Sequence, residues 1–115
     1  MPASALFDSG LELFNRGQYY EAHEVWEDLW RETEGPLRKY YQGLIQTAVG
    51  LYHLRRGNST GARGQLGKAL QKLAAYPPGC CGIDNAALTA RLSEILENLT
   101  FVEVRIARLN ENSLW

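Results

Sequence analysis

Four breaks constrain this chain more than anything else in it: Gly17, Gly35-Pro36, Gly57-Asn58 and the run from Tyr76 through Pro77, Pro78, Gly79, Cys80 and Cys81 to Gly82. Each supplies residues that end a helix, because glycine accepts the left-handed stop and proline cannot continue the backbone ladder. Between the breaks, apolar residues recur at helical spacing, and no alternating β-branched run of roughly four to eight residues suggests a strand. The chain is therefore expected to be all-α. It reads as a compact bundle of about five helices built from antiparallel helical hairpins, in one domain over residues 1–115.

The first segment sets Leu6, Phe7, Leu11 and Phe14 on one face and stops at Asn15-Arg16-Gly17. The second, about Tyr19 to Glu32, turns Ala22, Val25, Trp26, Leu29 and the flanking Trp30 inward, with Glu21, Glu24, Asp28, Arg31 and Glu32 opposite. The third runs from Pro36 to about Arg56 and is apolar over more than half its circumference, which marks it as the central helix. Leu37, Tyr41, Leu44, Ile45, Ala48, Val49, Leu51, Tyr52 and Leu54 make up that surface. The fourth follows Asn58 and buries Ala62, Leu66, Ala69, Leu70 and Leu73, yet carries Gly61, Gly64 and Gly67 at successive turns. Each such glycine costs about 1 kcal/mol against alanine, so the three suggest close helix contact or a frayed start.

The fifth segment starts at Asp84, a candidate N-cap, and spaces Leu88, Leu92, Ile95, Leu99, Val102, Ile106 and Leu109 alternately four and three apart. That pattern predicts one long helix with a bundle seam, closed either inside the chain or against a second copy. The terminal run ending in Trp115 is expected to fray, with the indole free to dock. A faint internal echo, Gly17 to Gly57 and Ala22 to Ala62, has an offset of 40 residues. Two stacked hairpins, as in tetratricopeptide arrays, would produce it.

Composition narrows the functions while leaving a local basic patch open. Net charge is −1, from 12 basic and 13 acidic residues, so no global field draws the chain to nucleic acid or an anionic membrane. Arg55, Arg56 and Arg63 read as solubilising, and nucleic acid is not the expected partner. The most apolar stretch, Gly43 to Leu54, is too short to span a bilayer and is broken by Gln46 and His53. The N-terminal residues lack the pattern of a secretory signal, so a cytoplasmic protein is expected. Adjacent Cys80 and Cys81 read as free thiols, too few for a structural zinc site.

The densest chemistry lies in Glu21-Ala-His-Glu-Val-Trp-Glu-Asp-Leu-Trp30. A zincin helix needs histidines four apart, but Glu27 stands four after His23; a di-iron bundle needs Glu three before His, and Tyr20 and Gly50 stand there instead. No metal site is predicted; His23 and Glu27 are the weak candidates for one. With helices two and three antiparallel, His23 should face Ile45 and Gln46, and Glu27 should face Tyr41 and Gln42. His53 falls about 11 Å further along, near Asn15 and Tyr19. Gln42, Gln46 and His53 share a stripe roughly 40° wide on the third helix. Neutral amides suit partial burial, where they bond without the cost of desolvating a charge. The candidate pocket is thus His23, Glu24, Glu27, Trp30, Gln42, Gln46 and His53.

The residues Phe14, Asn15, Gly17, Tyr19, Glu21, Ala22, His23, Glu24, Glu27 and Trp30, then Gly43-Leu-Ile-Gln46, His53, Gly57 and Asn58, closely resemble the motif of the bacterial, archaeal and plastid family of domain of unknown function 309. The resemblance covers about the first two thirds of the chain and implies an all-α bundle; it brings no activity or cofactor with it. Two readings remain. One is an interaction or ligand-binding module whose unknown small-molecule or protein partner meets the polar seam. The other is a hydrolase using His23 with Glu27 or Glu24, with or without a metal. Against catalysis, no Ser, Thr or Cys lies between Ser9 and Thr33 to serve as nucleophile, and no glycine loop cradles phosphate.

Overall fold

The structure, a computed structural model, describes residues 2–109. The terminal run and the expected docking of Trp115 lie outside them. Helices α1 (Ala3–Asn15), α2 (Tyr19–Glu32), α3 (Leu37–Arg55), α4 (Ser59–Leu73) and α5 (Asn85–Asn98) follow in order, with a short 3₁₀ turn at Cys80–Gly82. They form the all-α bundle read from the breaks. None is long and apolar enough to cross a membrane.

The breaks work as their chemistry requires. Gly17 and Gly57 take left-handed φ values of 78° and 82°. At both, the next amide reaches back to a carbonyl five residues earlier: Gln18 to Leu13 at 3.0 Å and Asn58 to His53 at 2.8 Å. These bonds satisfy carbonyls that a helix end leaves orphaned. Asn58 and Asp84 cap α4 and α5 through side-chain bonds to the Gly61 and Ala87 amides.

The offset echo extends into the packing. Gly10 of α1 faces Trp26 of α2 so closely that a methyl group there would overlap the indole. Forty residues on, a methyl on Gly50 of α3 would lie 2.5 Å from Cδ2 of Leu66 in α4. In both hairpins a glycine of the first helix admits a large side chain of the second, beside a fully buried alanine, Ala22 or Ala62. Helix α3 packs against both α2 and α4, as a central helix should. Its buried face differs from the expected one: Tyr40 and Thr47 are buried, whereas Leu37 is exposed.

Helix α5 does not run to Leu109. It ends at Asn98, Leu99 adopts φ 52°, and the chain continues without helix. Thr100 donates its amide to the Asn98 side chain at 2.9 Å, which fixes the turn. The expected seam is therefore cut: Leu88, Leu92, Ile95 and Leu99 belong to it, but Val102 and Leu109 are exposed. The long seam, expected to close either inside the chain or against a second copy, is thus shortened to the residues of α5 and its end. In Val102-Glu-Val-Arg-Ile106 a period of two competes with the period of 3.5, and the two-residue period wins here because it buries Val104 and Ile106. Their backbone groups are held by α1 and α2 side chains in place of a neighbouring strand. Asn15 receives the Ile106 amide and donates to its carbonyl, at 2.7 and 2.9 Å. The Tyr19 hydroxyl does the same for Val104, at 3.0 and 3.3 Å. One antiparallel bridge, Ile83 to Arg108, pins the far end.

Replacing Tyr19 by Phe leaves the Val104 amide and carbonyl buried and unpaired. Tyr19→Phe should lower unfolding free energy by about 1–3 kcal/mol, measured by urea denaturation. The Val104 amide should exchange hydrogen faster than the α3 amides; unchanged exchange at Val104 would mean that the hydroxyl does not hold the segment. Gly10→Ala should cost about 1–3 kcal/mol through overpacking against Trp26.

Candidate functional site

His23 lies in the first turns of α2 and its side chain is only 15% exposed. Its Nδ1 lies 2.5 Å from the Tyr20 carbonyl oxygen and its Nε2 3.3 Å from Oε1 of Glu27, a turn later. A carbonyl only accepts, so Nδ1 carries the hydrogen. In the neutral ring Nε2 then presents a lone pair to the carboxylate, and the contact becomes a hydrogen bond only in the imidazolium form. The second carboxylate oxygen of Glu27 accepts from Arg31 at 3.1 Å. Glu24, one residue after His23, is exposed and takes part in none of these contacts.

Trp30 closes α2. The Arg38 guanidinium sits 3.9 Å above its ring and donates to the carbonyls of Trp30 and Thr33 at 3.0 and 3.1 Å. A cation at a helix C-terminus is favoured by the helix dipole as well as by the orphaned carbonyls. This clamp joins the end of α2 to the start of α3 in the antiparallel register that the short turn imposes. In that register Glu27, Trp30, Gln42, Ile45 and Gln46 line one open depression of about 260 Å³. Gln46 is one of these lining residues, and its Oε1 is buried and has no hydrogen-bond partner among the described residues.

The structure thus gathers Glu27, Trp30, Gln42 and Gln46 at one place, with His23 attached through Glu27. His53 is elsewhere. It stands at the α3–α4 corner, where a methyl on Gly61 would lie 3.0 Å from its Cδ2. Between the two imidazoles run the rings of Tyr20 and Tyr52, with successive centroids 4.8, 5.2 and 6.2 Å apart from His23 to His53. Among the described residues no group of three or more His, Cys, Asp or Glu could hold a metal ion.

A second polar cluster went unread in the sequence. Asn85 is buried and accepts from the Tyr40 hydroxyl at 3.0 Å while donating to the Leu73 carbonyl at 2.9 Å. It ties α3, α4 and α5 together. The one available signal was a polar residue in the first turn of a helix directly after an aspartate cap. Beside it, Sγ of Cys80 and Cys81 are 3.7 Å apart, with Cys81 at φ 59°. Burial, then the neighbouring Cys81, pushes the Cys80 thiol up to about 12. Burial likewise raises the Tyr41 phenol to about 12, with Cys81 adding to it, and raises Tyr40 further still.

The pattern that defines the family described as Domain of unknown function (DUF309) matches residues 7–65. That range contains every seam residue and stops inside α4, before the cysteines and Asn85. The chain is similar to the uncharacterized protein YpuF of Bacillus subtilis (strain 168), at 32% identity over 105 residues, which cover 89% of this chain and 60% of that protein. It is also similar to an uncharacterized protein of Aquifex aeolicus (strain VF5), at 32% identity over 84 residues, which cover 72% of this chain and 25% of the other. The chain therefore spans less than two thirds of the length of either relative.

The raised thiol makes Cys80 a poor nucleophile, since the thiolate is the reactive form. At pH 8 its thiolate fraction should be on the order of a thousandfold below that of an ordinary cysteine, so iodoacetamide should modify Cys80 far more slowly in the folded protein than in urea. Equal rates in both would contradict that burial. The same groups link stability to pH. Their folded-state pKa values lie above the unfolded ones, so their contribution is complete below about pH 9 and fades as pH rises towards 12. Melting temperature should accordingly fall across that window.

Proposed function

From the premise that this chain belongs to the family described as Domain of unknown function (DUF309), we propose that it is a small cytoplasmic binding module, a single domain whose ligand or protein partner docks in a polar pocket at the α2–α3 seam. The observation that carries this reading is that Gln46, whose buried Oε1 has no partner among the described residues, is also one of the residues lining the depression. A buried acceptor without a donor is costly, and the cost falls when a bound molecule supplies one. Glu27 adds a carboxylate beside it, while Ile45 and the Trp30 ring offer apolar surface. The site therefore suits a molecule with a hydrogen-bond donor on an apolar body, such as an amide or amine side chain.

His23 serves this site in its imidazolium form, where Nδ1 donates to the Tyr20 carbonyl and Nε2 donates to Glu27 and holds that carboxylate in place. A hydrolase remains the second reading because the same contact, Nε2 to carboxylate at 3.3 Å, is a geometry that an acid–base pair uses. In that case the groups doing chemistry are His23 and Glu27; Glu24 and His53 stand apart from the depression.

The two readings separate in an NMR titration of the full chain. Primary amides and alkylamines are added while the Trp30 indole N–H, the Gln46 side-chain amide and the His23 ring are followed. Binding should move the Trp30 and Gln46 signals first, and Gln46→Met should weaken it by roughly tenfold, the loss of about one hydrogen bond. If these signals stay fixed, or if Gln46→Met binds as well as the parent, the seam is not the docking site. A hydrolase would instead show turnover of an amide or ester that disappears in both His23→Ala and Glu27→Gln.

A further inference from the structure

A net charge near zero conceals a segregation of charge along the chain. Residues 1–34 hold eight acids and two bases, whereas residues 35–83 hold seven bases and no acid. The first set builds the α1–α2 hairpin and the second the α3–α4 hairpin, so one hairpin is strongly negative and the other strongly positive. Three of the seven cations are already engaged: Arg38 on Trp30, Arg55 on the Gly17 carbonyl, and Arg56 over Tyr52. The other four, Lys39, Arg63, Lys68 and Lys72, form no ion pair among the described residues. Lys72 is partly desolvated and repelled by Lys39 and Lys68, which together push its ammonium pKa down; an anion placed among the three would relieve that repulsion.

The outward face of α4 carries a second, independent observation. Thr60, Arg63, Gly64, Gly67, Lys68 and Gln71 form one helical stripe, exposed or half-exposed throughout. Glycine is the costliest residue inside a helix after proline, and the other close-packed helical glycines each have a neighbour to make room for. Gly64 and Gly67 do not: a methyl at either would meet nothing within 4 Å. No packing within the described chain requires them, and they leave α4 with a flat, cationic face on which a partner can approach the helix backbone.

We infer that the outer face of α4, with Lys39 of α3, is a docking surface for the sugar–phosphate backbone of duplex nucleic acid, read without regard to sequence. The stripe offers hydroxyl, amide, guanidinium and ammonium donors and no carboxylate, which is the chemistry of phosphate contact. A lipid surface would call for large apolar residues to insert, and a protein partner for an apolar anchor; the stripe has neither. Stacking of single-stranded bases needs aromatic rings, which the stripe also lacks. The acidic α1–α2 hairpin would be repelled and so orient the molecule on the duplex. The inference is independent of the seam reading, since none of these residues lines the depression.

The test is fluorescence anisotropy of mixed-sequence duplexes, DNA and RNA in separate arms, titrated with the full chain over increasing KCl. With four cations on phosphates, log K should fall against log salt with a slope of about −3 to −4, and Lys68→Gln or Lys72→Gln should each reduce that slope by about one. The arm that binds more tightly assigns the source of the backbone. Gly67→Leu should weaken binding at unchanged charge while the protein stays folded by circular dichroism. Gly67→Ala should raise the melting temperature, because an exposed helical glycine is being replaced. Absence of binding at about 25 mM salt, slopes that the lysine changes leave alone, or tighter binding to single strands or to phosphatidylserine vesicles would each overturn the inference.

Discussion

The two hairpins of this architecture follow from how closely the helices within each one approach. Gly10 against Trp26 and Gly50 against Leu66 let a bulky side chain sink into the partner helix where any Cβ would hold it off. That contact brings the helices near enough for tight, glycine-capped turns to join them, and near enough for α3 to be shared between α2 and α4. The Arg38 clamp on Trp30 then ties α3 to the end of α2 in the register that the short turn imposes, and the register decides which polar side chains meet. The seam is a consequence of packing laid down on adjoining faces of the same helices.

How much of this was legible in the sequence depends on whether the controlling interaction is local. Gly17 and Gly57 end helices through their own backbone freedom, so the breaks could be read directly. The antiparallel register follows from a short turn, so Glu27, Trp30, Gln42 and Gln46 could be placed together without coordinates. Leu99 could not be read in this way. Its left-handed turn interrupts a run that satisfies helical spacing as well as extended spacing, and the choice is made by Asn15 and Tyr19, more than 80 residues earlier. The role of Asn85 was hidden for a similar reason, because its partners come from α3 and α4. The seam residues Glu24 and His53 were included on letter and stripe alone, and packing sends one to solvent and the other to the α3–α4 corner.

Charge gives the same lesson in another form. A whole-chain sum describes the far field of a protein, and near zero it implies weak long-range attraction. Close to the surface, within a Debye length of about 8 Å, an arriving molecule meets one hairpin at a time. The fold converts a separation along the sequence into a separation in space because each charge block coincides with one hairpin. Charges scattered evenly over the same helices would leave the same sum and no such faces.

The glycines of the second hairpin show why residue type alone underdetermines function. Gly50, Gly61, Gly64 and Gly67 look alike in sequence, all at helical positions where alanine would be better by propensity. Gly50 is required by Leu66, and Gly61 is crowded by Asn58 and His53, so the interior of the fold accounts for both. Gly64 and Gly67 have no such creditor inside the described molecule. Two residues that weaken a helix, with nothing among the described residues packed upon them, stand on an outer face that also lacks any acid to balance its cations. The interior explains neither the glycines nor the unbalanced charge, whereas a polyanion lying along α4 explains both with one contact.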